Sequence, residues 1–261
     1  MSTSFDLSPF HMDNKYVITW GKQFNGNKLN FHSLNTNQTK VVEKLCVLQF
    51  ASKVQLAKIL NPGNLRKGKK NVDFLTDKGF LIAHSMTGRE NGKFVPFYGL
   101  SNPAREHFGL PRFEKVYTIE VLKRLLVFQF YTRFNEIDPT TTVEVFPAPF
   151  DACFTIMEQP FRIVALREKT QRDKVYNHIR FMEEQMRTLI VVPDWEDGNK
   201  FLDIKDQAHL FRVTTDHNLL KETLSNSFCK IENGEWVPEY IQPFEKQEKV
   251  EHEELTLHAT E

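Results

Sequence analysis

SKVQLAKILNPGNLRKGKKNVDFLTDKGFLIAHS, residues 52–85, decides how this chain is read. Ser52 stands three residues before Gln55, the spacing of a capping box, in which hydroxyl and amide each satisfy an orphan backbone group at a helix start. The helix it opens, residues 53–60, turns Val54, Leu56, Ala57 and Leu60 inward. Asn61-Pro62-Gly63-Asn64 then strings together four turn-forming residues. A third helix is expected from Leu65 to Lys78, with Gly79 as its left-handed stop. Its apolar positions are Leu65, Val72 and Leu75, with Phe74 flanking, while Arg66, Lys67, Lys69, Lys70 and Asn71 form its polar side.

Upstream, residues 38–50 repeat Val41, Val42, Leu45, Leu48 and Phe50 at near-helical spacing, and Ala51-Ser52 breaks the repeat. Downstream, FLIAHS (80–85) and KFVPFYGL (93–100) read as strands joined by a turn at Gly88–Gly92. SNPAREHFG (101–109) is a short helix, capped by Ser101 with Pro103 in its first turn. Three helices followed by a two-stranded hairpin is the layout of a winged helix-turn-helix.

The whole chain offers no electrostatic partner, since 34 Lys and Arg balance 34 Asp and Glu. The hairpin region differs. Between Gly63 and Phe94 seven cations (Arg66, Lys67, Lys69, Lys70, Lys78, Arg89, Lys93) meet three acids (Asp73, Asp77, Glu90). In this layout the third helix enters the major groove of double-stranded DNA. Arg66, Lys67, Lys69, Lys70 and Asn71 are expected to reach base edges and phosphates there, with Arg89 and Lys93 holding the wing on phosphates. A basic helix face alone is more often merely solvated, and winged helices also serve as protein-binding adaptors. The turn, the stop and the basic hairpin together favour DNA.

The flanking sequence divides by composition. Residues 1–37 form an N-terminal arm, with strand-like YVITW and KLNFHSL around a turn at Asn25-Gly26-Asn27. The winged helix-turn-helix takes residues 38–112. A connecting segment, 113–138, holds a helix from Thr118 to Phe134 that is apolar almost all round. Such a helix must be buried, between two halves or against a second copy, so a homodimer is expected. From 139 to 244 strand-like VEVFPA, ACFTIME, FRIVALRE, TLIVVPD and LFRVTT alternate with a helix over Lys169–Thr188, turning Val175, Ile179, Met182 and Met186 inward. Residues 245–261 carry six Glu against two Lys and read as a disordered acidic tail. The fold class is therefore α+β, a winged helix-turn-helix followed by a small mixed αβ domain.

Three cysteines, Cys46, Cys153 and Cys229, are odd in number and widely spaced, which fits a reducing cytoplasm better than a disulfide framework or a metal site. No run reaches the roughly 18–20 apolar residues of a membrane span, and MSTSFDLSPFHMD lacks the basic start of a signal peptide. Phosphate-loop, serine-elbow and zinc-protease motifs are missing, so neither cofactor nor small-molecule substrate is expected.

With these residues in view, the chain resembles the replication-relaxation family of bacterial plasmids and integrative elements. LQFASKVQLAKIL, the basic helix running into LTDKGFL, and FYGLSNPAREHFG carry the likeness, which extends over residues 38–220. It implies a sequence-specific DNA-binding protein acting in replication, maintenance, transfer or transcriptional control of such an element. It also implies a second half like a degenerate restriction-endonuclease sheet. PFDACFTI stands where the family has a PDA strand, and FRIVALREKTQRDKVYNHIRFM, with Lys174, Val175 and Tyr176 in its helix, stands where the family has an acidic strand end followed by a helix. A nuclease of that class needs converging carboxylates and a lysine around Mg²⁺. Asp151 fits the first place, but Ala165 and Arg167 stand where the next ligand and the lysine belong, Glu168 and Lys169 are adjacent, and Glu144 has no fixed register. The expectation is no enzyme, no catalytic residue and no metal. The alternatives are a metal-dependent nuclease targeted by the winged helix and a winged-helix adaptor.

Overall fold

A computed structural model of the chain describes residues 8–24, 29–90, 92–181 and 186–239. The acidic segment 245–261, the turn at Asn25-Gly26-Asn27 and the inward position assigned to Met182 lie outside them.

The first half begins with strand β1 (Tyr16–Thr19) and helix α1 (Thr36–Leu48). Asn35 opens α1 through a reciprocal box: its side-chain Oδ1 accepts from the Gln38 amide, and the Gln38 side chain accepts from the Asn35 amide. Strand β2 (Ala51–Ser52) leads straight into α2 (Lys53–Leu60), where Ser52 and Gln55 form the expected capping box. Helix α3 (Leu65–Asp77) starts at Asn64, whose side chain accepts from the Lys67 amide, and Gly79 follows it at φ +81°. Strands β3 (Leu81–Gly88) and β4 (Phe94–Leu100) form an antiparallel hairpin.

Two pairings were not foreseen. Strand β1 lies antiparallel along β3, Tyr16 opposite Gly88 and Thr19 opposite Ser85, rather than in a hairpin with residues 28–34. Of that second stretch, Phe31–Ser33 forms a 3₁₀ turn. Strand β2 pairs with β4 through Ala51 and Tyr98, so the four-stranded sheet has the order β1-β3-β4-β2. The reason is burial: Trp20, just after β1, packs among Phe50, His84, Phe97 and Phe113, a ring cluster the arm completes.

After helix α4 (Asn102–His107), α5 (Thr118–Ile137) runs one turn past its expected end. The second sheet follows: β5 (Thr142–Glu144), β6 (Ala152–Ile156), β7 (Gln159–Ala165), then helix α6 (Lys169–Arg180) and β8 (Arg187–Val192). Helix α7 (Trp195–Gly198), a 3₁₀ stretch (Asn199–Leu210), β9 (Phe211–Thr215) and α8 (Asp216–Lys221) lead to the hairpin β10 (Cys229–Glu232) and β11 (Glu235–Pro238). The seven strands are ordered β11-β10-β9-β8-β7-β6-β5, parallel only across β7-β8-β9.

Two expectations need correction here. The helix expected over Lys169–Thr188 ends at Arg180, because Arg187 to Val192 are taken up by β8 between β7 and β9. VEVFPA yields only two strand residues, Val143 and Glu144, since Pro147 and Pro149 supply no amide hydrogen to a ladder.

Alternation along β7 and β8 sorts the core. Ile163, Ala165, Leu189 and Val191 join the cluster that contains α5, while Val164, Ile190 and Val192 join Val175, Tyr176 and Ile179 on the α6 side. Helix α5 packs on α1 and α2 with one flank and on β6, β7 and α8 with the other. Its apolar circumference is thus filled within the chain, and Val121, Leu122, Leu125, Leu126, Phe128 and Tyr131 are sealed from water. The molecule is mixed α and β with two sheets, sharing one core through α5.

Candidate nucleic-acid interface

Helix α3 is pressed unusually close to α2. Gly68 faces Ala57, and a Cβ on Gly68 would lie 2.1 Å from the Ala57 carbonyl oxygen. Gly68, Val72 and Leu75 are the buried stripe, which fixes the rotation of the helix about its axis. At about 100° per residue, Arg66 and Lys70 point directly away from that stripe, while Lys67 and Lys69 lie on opposite flanks about 160° apart. Arg66, Lys67, Lys69 and Lys70 are exposed; Asn71 is half-buried and turned toward the stripe. The five side chains therefore make a ridge with two shoulders rather than one flat face.

The hairpin adds to it. Arg89 is exposed and Lys93 half-buried. The turn is closed by the Gly88 amide donating to the Lys93 carbonyl and the Gly92 amide donating to that of Gly88. Two of the three acids in this region are paired by lysines from outside it. Lys53 of α2 holds Asp73 at 2.5 Å, and Lys15, ahead of β1, holds Glu90 at 2.5 Å. Sequence counting missed both lysines, because each becomes a neighbour only through folding. With them included, the cationic surplus rises from four to six.

The arm also fixes the hairpin from behind. The Gly21 amide donates to His84 Nδ1 at 2.9 Å, and the ring stacks near Phe113 and tilts against Phe97. Burial holds the His84 pKa down at about 4, so the ring is neutral at physiological pH. Behind α3, Gly79 meets Phe24 of the arm, where a Cβ would clash with the ring at 2.6 Å.

The described carboxylates of the second half do not gather into a metal site. Asp151 is buried just before β6, its Oδ2 accepting from the Ala165 amide at 2.7 Å and its Oδ1 lying 3.2 Å from Lys123 Nζ. Burial pushes its carboxyl up, against the pull of Lys123. Arg167 turns to Asp216, in an ion pair sealed from solvent. Glu168 precedes α6 without capping it, and Glu144 stands exposed on β5 opposite Cys153. Among the described residues, no three His, Cys, Asp or Glu side chains converge as a metal site. No helix among them is long and apolar enough to cross a membrane.

The sequence matches no protein-family model and no curated protein.

Proposed function

We propose that this protein binds double-stranded DNA through α3 and the β3–β4 hairpin, acting as a winged helix-turn-helix. The observation that carries the reading is the outward pair Arg66 and Lys70, backed by the Gly68–Ala57 contact, with Asp73 and Glu90 drawn into ion pairs beside it. A ridge of that shape suits the major groove: its crest reaches base edges and its shoulders, Lys67 and Lys69, meet the phosphates on either side. Arg89 and Lys93 extend the phosphate contacts along the hairpin. Asn71 serves from the margin.

The second half supports this module rather than catalysing a reaction. Its order β5-β6-β7-α6-β8 with α5 packed behind is compatible with a restriction-endonuclease-like sheet. In it, Lys123 neutralises Asp151 and Ala165 offers only a backbone amide. Through its likeness to replication-relaxation proteins, the binding activity serves the replication, maintenance, transfer or transcriptional control of a mobile element in the cytoplasm. A second copy is not part of this proposal, because the α5 surface that motivated a homodimer is covered inside the chain.

A mobility-shift titration tests the interface. Replacing the shoulder lysines Lys67 and Lys69 with Ala should weaken binding across sequences and reduce its salt dependence. Unchanged binding would place the interface elsewhere. Recovery of bound DNA from cells would then locate the site and with it the process served.

A further inference from the structure

Phe94 opens β4 at the root of the hairpin turn, directly after Lys93, and 63% of it is exposed. It is opposite Thr87 on β3, which is opposite Val17 on β1, itself 46% exposed. Residues opposite one another share a sheet face. The next row on that face is Thr19, Ser85 and Pro96, so both rows carry no charge. The opposite face, with Ile18, Met86 and Val95, packs on the core. Among the described residues no ring or cation–π contact covers Phe94, which stands bare on this uncharged sheet surface.

The same face looks toward the DNA side. Phe94, Pro96 and Tyr98 alternate on β4, and Tyr98 is opposite Ala51 of β2, two residues before Lys53, whose ammonium pairs with Asp73 on α3. Counting strand rise, Phe94 stands roughly 13 Å beyond Tyr98. With a helix in the major groove, the neighbouring minor groove lies about half a turn away, roughly 17 Å. Arg89 and Lys93 bracket the ring with the charge that a phosphate backbone requires.

We infer that Phe94 is an apolar wedge, seated in the minor groove of double-stranded DNA and pressed against a base step, with the Val17–Thr87 row as its support. This rests on the DNA-binding reading above and adds a distortion of the duplex to it. Apolar wedges of this kind partly unstack a step and kink the helix.

The test uses the full-length chain, a duplex of about thirty base pairs carrying a fluorophore at each end, and low salt. The wild type should bring the ends closer. Phe94→Ala should abolish that change and weaken binding by about tenfold. Its dependence on salt should stay that of the wild type, because no charge is removed. Phe94→Leu should keep the bend. Phe94→Trp should keep it too, and its added emission should be quenched on the duplex. If Phe94→Ala binds and bends like the wild type, the wedge is wrong while the DNA reading stands. Equal quenching of Phe94→Trp by a single strand would overturn the duplex wedge in favour of simple base stacking. Failure of the wild type to bind duplex at low salt would overturn both readings.

Discussion

Lys123 and Asp151 meet 3.2 Å apart with their side chains almost closed off from water, and this pair pins α5 to the start of β6. Each has a further partner of different quality. Lys123 also reaches the more exposed Glu120 at 3.5 Å, while Asp151 accepts the Ala165 amide at 2.7 Å. Breaking a buried pair from one side leaves an uncompensated charge, which costs about 3 kcal/mol or more. Lys123→Met strands the carboxylate. Asp151→Asn keeps an acceptor for the Ala165 amide and leaves Lys123 its second acid. The first substitution should therefore destabilise more than the second, and the double variant should recover part of the loss. Urea unfolding of the four proteins measures this; strictly additive effects would show that the pair is not coupled.

Gly68 is a second point where a small change should have a large effect. Ala is normally the better helix former by roughly 1 kcal/mol. Here its methyl group would collide with the backbone of α2 rather than with a movable side chain. Gly68→Ala should lower stability by about 2 kcal/mol, or roughly 4–8 °C in melting temperature. It should also weaken DNA binding, because α3 must shift outward or rotate. A variant that melts at or above the wild type would mean the helices are not in this contact.

His84 gives the molecule a defined sensitivity to acid. Its folded pKa, about 4, lies below the ordinary value of 6.5, so the unfolded chain takes up the proton first as pH falls. Stability contributed by the neutral ring is complete above pH 6.5, declines below it and is exhausted near pH 4; the total is roughly 3 kcal/mol. His84→Gln retains an acceptor for the Gly21 amide but cannot titrate. Its stability should fall less steeply than the wild type's between pH 6.5 and 5, before carboxylates dominate. Parallel curves would show that the imidazole is protonated equally in both states.

What could be read in the sequence was local, and what could not was brought together by folding. The Ser52–Gln55 box, the Asn61–Asn64 turn and the Gly79 stop each depend on residues within a few positions, and each formed where expected. The pairing of β1 with β3 depends on Trp20 finding Phe50, Phe97 and Phe113, none of which is near it in the chain. Lys15 and Lys53 joined the basic surface for the same reason. Gly68 carried an ambiguous signal, since a glycine inside a helix reads as weakness until its neighbour is known. One local signal went unread. Asn233-Gly234, at φ +52° and +83°, is a hairpin turn between CKIE and EWVP, and it forms the β10–β11 edge. On α6, apolar spacing at Val175, Ile179, Met182 and Met186 mimicked a longer helix, while strand pairing on both sides claimed Thr188.

The ridge of α3 separates the roles of its cations. Arg66 and Lys70 stand opposite the buried stripe and, on the proposed DNA-binding reading, would enter deepest into a groove, while Lys67 and Lys69 stand at its shoulders. Arg66→Ala should cost about 1–3 kcal/mol on the preferred site and much less on unrelated DNA, relaxing sequence preference. Lys67→Ala and Lys69→Ala should each weaken binding nearly equally on both, and each should lower the salt slope by about one. Arg89→Ala should behave like the shoulders. Affinity titrations at several salt concentrations, on a recovered site and a scrambled one, distinguish these patterns. Loss of specificity from a shoulder variant, with Arg66→Ala acting uniformly, would mean that α3 lies in the groove at another rotation.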